Sequence, residues 1–159
     1  MAERAQFVDP ITGRPEGDRI SPSAICPPVP SQRDIGVHGL LGAGFRDPLG
    51  MAFATQLKDM AEAKAKERFP ALGTGSTARD AFRHFYGAST LARLVGPQRA
   101  RNILNAVEVS GGNGAADQTM DTWNNHVAVT MGHDPRYRRM SVEDIFDIAL
   151  KSGCLNVNK

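Results

Sequence analysis

The sequence predicts an all-α fold: a bundle of about five helices behind an irregular Pro/Gly-rich N-terminal arm. Three observations carry this expectation. From residue 47 onward, apolar residues recur at i, i+3, i+4 and i+7. The breaks between these periodic stretches are short and marked by glycine and proline, as helix ends are. Alternating runs of β-branched residues, the mark of strands, are nearly absent. A chain of 159 residues suits one domain with a real core better than two.

The elements follow in order. Six of the ten prolines fall in the first 30 residues, and "PITGRPEGDRISPSAICPPVPSQRD" reads as extended or irregular chain. "IGVHGLLGAGF" then offers Val37, Leu40, Leu41 and Phe45 for docking on a core. Residues 1–46 are expected to form an arm, wrapped on the domain or gripping a protein partner; residues 47–159 form the helical domain. Asp47-Pro48 reads as an N-cap followed by proline at the first helical position. Met51, Phe53, Leu57 and Met60 supply apolar positions in this first helix, and Glu62 stands four residues before Lys66 in the favourable order. Pro70 and the glycines of "PALGTGS" end it.

The second helix starts at Ser76 or Thr77 and buries Ala81, His84, Phe85, Ala88, Leu91, Ala92 and Val95. Gly96 closes it and Pro97 opens the third, whose stripe is Ala100, Ile103, Leu104 and Val107, with Glu108 on the border. After "SGGNG" the fourth helix runs from about Ala115 to Met131, with Met120, Trp123, Asn124, Val127 and Met131 on one face and Gly132 and Pro135 as its stop. Ser141 caps the fifth, with Asp144 three residues on and Val142, Ile145, Phe146 and Ala149 inside.

Composition excludes several classes. Hydrophobic residues at 41% and charged residues at 23% are ordinary for a globular protein. A net charge of +2 with a pI near 8.7 is too mild to imply a nucleic-acid or membrane partner. No apolar run approaches the ~20 residues of a membrane span, and "MAERAQFVDP" lacks the apolar core of a signal peptide. Cys26 and Cys154 belong to no C-x-x-C motif, so thiolate zinc is disfavoured. Two free thiols in a reducing compartment is the expectation.

Two polar pairs interrupt apolar faces. His84 falls in the apolar row of the second helix, with Asp80 one turn before it and Arg83 beside it. In the fourth, Asp121 and Asn125 lie one turn apart, and Asn124 sits next to Trp123. Asparagine is a mediocre helix former, so two in a row imply side-chain hydrogen bonds of some value. Glu108, near a helix C-terminus, carries the sign that the helix dipole disfavours. Each has a structural reading: a capping box for Asp80, a buried imidazole for His84, a register-fixing network for Asp121 and the asparagines, a solvated end for Glu108. Together they point to one site if the second, third and fourth helices are neighbours. A histidine with two or three carboxylates can hold a divalent metal; a carboxylic acid of raised pKa opposite a second carboxylate can do glycosidic acid/base work. The residues leave that choice open. HExxH, G-x-S-x-G, P-loop and paired C-x-x-C signatures are all missing. "PRYRRM", residues 135–140, reads as a solvated loop, and His126 and His133 lack a ligand-spaced partner.

"DAFRHFYGASTLARLVGPQRA", the glutamate at the end of the next helix and "MDTWNNHVA" resemble an uncharacterised all-helical domain family. Its pattern is D-A-[FY]-R-H … G-x-x-x-A … E … M-D-x-x-N-N-x-x-G. It occurs in bacterial polymorphic toxins and in wall-associated and phage-linked proteins. The likeness covers residues 77–132. It carries over Asp80, Arg83, His84, Glu108, Asp121, Asn124 and Asn125, and departs at Ala128, where the family often has glycine. The resemblance supports a site more than a reaction; the first expectation is an effector-like or phage-linked hydrolase of the bacterial cell envelope. His84, Glu108 and Asp121 would be its catalytic residues; Asp80, Arg83, Asn124 and Asn125 would bind substrate; the cofactor is open, a divalent metal at His84 and neighbouring carboxylates being one option. The alternative is a non-catalytic virion, tail or secretion component whose arm, residues 1–46, grips a partner. Synthesis in the bacterial cytoplasm without a signal peptide is expected, followed by export through a dedicated secretion system or carriage in a virion.

Overall fold

The computed structural model describes residues 25–28, 47–73, 77–110 and 115–157. Among them are five helices and no strand: α1 (Pro48–Arg68), α2 (Thr77–Val95), α3 (Pro97–Ser110), α4 (Ala115–His133) and α5 (Val142–Lys151), with a 3-10 turn at Pro135–Tyr137 before α5. None is long and apolar enough to cross a membrane. The all-α expectation holds.

The caps are those the sequence announces. The Asp47 carboxylate accepts from the Gly50 N–H at 2.9 Å, and Pro48 needs no partner at the first helical position. The same carboxylate takes two bonds from the Arg99 guanidinium, each 2.6 Å, which fastens the start of α1 to α3. Gly96 adopts φ 86°, a left-handed turn that lets α2 stop and α3 begin at Pro97. Ser141 Oγ accepts from the Asp144 N–H at 3.1 Å and caps α5.

The apolar positions of α1 divide against expectation. Leu57 is buried and Met51 partly so, but Phe53 and Met60 are exposed at 38% and 48%. The buried face is built from small residues, Gly50, Ala61 and Ala65, with Leu57. Side chains this small let α1 lie close against its neighbours, which leaves the larger ones facing outward.

α2 and α4 form the central pair. The Ser89 hydroxyl of α2 donates to the Ala128 carbonyl of α4 at 2.8 Å. One turn on, a methyl group at Gly132 would stand 2.9 Å from Ser89 Cα. Gly132 was expected to stop α4, yet the helix continues through it to His133. The glycine serves close approach of two helices instead. α5 closes one side with Phe146, which meets Phe82 and Phe85 edge-on at centroid separations of 5.0 and 5.6 Å. Arg93 ties the far end, donating to the carbonyls of Gly132, Tyr137 and Met140. Within "PRYRRM", Tyr137 is buried and Arg136 pairs with Asp134, so the stretch is part packed turn and part solvated.

The two cysteines are not free. Cys26 and Cys154 are joined, with Cα atoms 5.1 Å apart, which corrects the expectation of two thiols. The reason lies in the path of the tail. After α5 the chain returns along α4, where Trp123 Nε1 donates to the Cys154 carbonyl at 2.8 Å. Residues 25–28 meet it there, with the Pro28 carbonyl 3.1 Å from His126 Nε2. This piece of the arm therefore packs on the helical domain itself. Val37, Leu40, Leu41 and Phe45 lie outside the described residues.

Candidate functional site

The polar cluster forms where α2 and α4 face each other. Asp80 and His84 are one turn apart on α2, which places their side chains on one face. Asp121 reaches the same point from α4. His84 Nε2 lies 3.7 Å from Asp80 Oδ1 and 3.7 Å from Asp121 Oδ1. The side chains are 18%, 12% and 5% exposed, so the cluster is shielded yet open to solvent at the histidine. One ligand atom from each of the three lies within 4.8 Å of the other two.

Arg83 completes the cluster. Its Nη2 donates to Asp80 Oδ1 at 2.5 Å and stands 3.2 Å from His84 Nε2. Its Nη1 is 3.6 Å from Glu62 Oε2 on α1. The other Glu62 oxygen accepts from Arg79 Nη2 at 2.6 Å, and Arg79 is itself anchored on the Leu72 carbonyl at 2.9 Å. An acidic and basic chain thus runs from α1 through Arg83 to the His84 cluster. The sequence pointed Glu62 toward Lys66 and gave Arg79 no role. The usable signal was Arg79 and Arg83 one turn apart, two guanidinium groups on one side of α2 in need of a carboxylate.

The remaining candidates are placed differently. Asn125 is buried one turn after Asp121. Asn124 is also buried, and both ends of its amide are engaged with the tail. Nδ2 donates to the Asn156 carbonyl at 2.9 Å, and Oδ1 accepts from the Asn156 N–H at 2.8 Å. Glu108 stands in the last turn of α3; its side chain lies outside the described residues. His126 packs against Trp123 and contacts the Pro28 carbonyl, and His133 is exposed.

The model of one family, a domain of unknown function (DUF6973), matches residues 41–152. The chain belongs to this family. The DUF6973 match contains all five helices and both polar motifs. It ends before Cys154 and begins after Cys26, so the disulfide and its two strands of chain lie outside it. No curated protein and no solved structure matches the chain. Membership of DUF6973 names no reaction.

Proposed function

We propose that the chain is a hydrolase of the bacterial cell envelope, with its reacting centre at His84, Asp80 and Asp121. One observation carries the reading. A histidine and two carboxylates from two helices converge at 3.7 Å beside the apolar core, at a point that water reaches. His84 and Glu108 act as acid/base groups or ligands. Asp80 orients His84, Arg83 balances the carboxylates, and Asp121 and Asn125 position substrate or water. We assign Asn124 to the tail, because its amide is committed to Asn156.

Two further points support the envelope as the place of action. The motifs resemble a domain of polymorphic toxins and wall-associated proteins. A Cys26–Cys154 disulfide persists in oxidising compartments and is rare in the cytosol, which suits delivery outside the reducing cytoplasm.

The test is release of soluble fragments from purified bacterial cell walls, run beside toxicity of the protein directed to the periplasm. Glu108→Gln should lower activity by about two orders of magnitude or more. The same change should alter stability by no more than roughly 0.5 kcal/mol. His84→Gln should lower both activity and stability. A folded parent protein that releases nothing and harms nothing overturns the reading.

A second reading, a non-catalytic binding module, is favoured by a different feature. Leu49, Phe53 and Met60 are exposed at 62%, 38% and 48%. Their spacing places them along one face of α1, an apolar row that a partner could cover.

A further inference from the structure

We propose that Asp80, His84 and Asp121 bind a divalent metal ion of the zinc class, and that the Arg83 guanidinium holds this position when the metal is absent. Guanidinium groups donate and do not accept. Facing Arg83 Nη2 at 3.2 Å, His84 Nε2 pairs with it only as an acceptor, the same form of the ring that ligates a metal. Two carboxylate oxygens lie 3.7 Å from the same nitrogen. The Arg83 guanidinium, 2.5 Å from Asp80 Oδ1, is a cation already seated beside these oxygens.

The geometry suits a smaller and doubly charged occupant. Zinc binds imidazole nitrogen and carboxylate oxygen at about 2.0–2.2 Å, which sets ligands roughly 3.3 Å apart around a tetrahedron. One ligand atom from each residue lies within 4.8 Å of the other two, and His84 Nε2 is 3.7 Å from an oxygen of each carboxylate. Closing the set asks for side-chain movements on the order of 1 Å. The ligands stand on two packed helices, so only side chains need to move. Arg83 has somewhere to go. Its second nitrogen already lies 3.6 Å from Glu62 Oε2, and Arg79 holds that carboxylate in place. Three protein ligands leave a fourth position for water, the arrangement of catalytic rather than structural zinc. In its catalytic use the ion rests on the hydrolase reading; in its binding it rests on the cluster alone.

The experiment uses the full chain without a tag and with its disulfide intact, freed of metal by chelator and titrated with Zn²⁺ in a calorimeter. One equivalent should bind. Asp121→Asn and His84→Gln should each weaken binding by about tenfold or more, the scale on which metal sites respond to loss of a supporting group. Arg83→Gln should tighten it, because the competing cation is gone. Nitrogen chemical shifts of the His84 ring in the parent protein should show Nε2 engaged on adding Zn²⁺, a readout that survives if the variants do not fold. No binding, binding unchanged in both ligand variants, or a His84 ring indifferent to Zn²⁺ overturns the site. Weaker binding in Arg83→Gln overturns the place-holder role. Zinc bound by a protein that leaves cell walls intact supports this inference and removes the hydrolase reading. Cell walls cleaved by a protein that binds no Zn²⁺ does the reverse.

Discussion

Gly132 and Asn124 show how much a single position decides in this core. Gly132 lets α4 touch α2, and an added methyl meets the Ser89 backbone at 2.9 Å rather than a movable side-chain end. Gly132→Ala should therefore destabilise the protein by roughly 1–3 kcal/mol through overpacking, despite the better helix propensity of alanine. Urea denaturation checks this; a variant as stable as the parent would mean that the helices can part without cost. Asn124 presents a different case. Its amide makes two hydrogen bonds to the backbone of Asn156 from a fully buried position. Asn124→Ala removes both and strands the partners, at about 1–3 kcal/mol. Hydrogen exchange should locate the loss at the Asn156 amide rather than across α2. The side chain was legible as one with hydrogen bonds to make; its partner was not, because the partner is backbone 32 residues away.

At the level of the element, the first turn of α1 carries the clearest pH dependence. The Arg99 guanidinium and then the Gly50 N–H hold the Asp47 carboxyl down, from 3.8 to about 2. A depressed folded-state value contributes stability that is present above the unfolded value and lost as pH falls through the folded one. The melting temperature should therefore fall between about pH 4 and pH 2, over and above what other carboxylates cause. Asp47→Asn should flatten that part of the profile. A parent and variant with parallel profiles would remove Asp47 from the account. The sequence showed the cap, since Asp-Pro before an apolar helix is a local signal. It did not show Arg99, which lies 52 residues on and meets Asp47 only because α3 packs beside α1.

Across the whole molecule, the disulfide closes nearly the full chain, with a sequence separation of 128 residues. Chain-entropy reasoning puts its contribution at roughly 4–5 kcal/mol as an upper figure, because so long a loop leaves the unfolded chain much freedom to lose. Reduction with dithiothreitol, or Cys26→Ser with Cys154→Ser, should lower the melting temperature markedly. The oxidised parent in denaturant should resist unfolding more than the double variant does. Equal stability of oxidised and reduced protein would show that the tail and residues 25–28 are held by packing alone.

The five helices were legible without a structure, because periodicity and caps act between residues three and four apart. Asp47, Gly96, Pro97 and Ser141 do locally what the sequence says they do. Membership of an uncharacterised domain family was legible too. Tertiary structure alone decided which of the candidate polar residues meet. It set His84 between Asp80 and Asp121, turned Arg83 onto the cluster and committed Asn124 to the tail. It also brought Glu62 into play, joined Cys26 to Cys154 and made Gly132 a contact rather than an end. The physical reason is the same in each case: these outcomes depend on which helix lies against which, and packing of distant segments leaves no periodic trace in the chain.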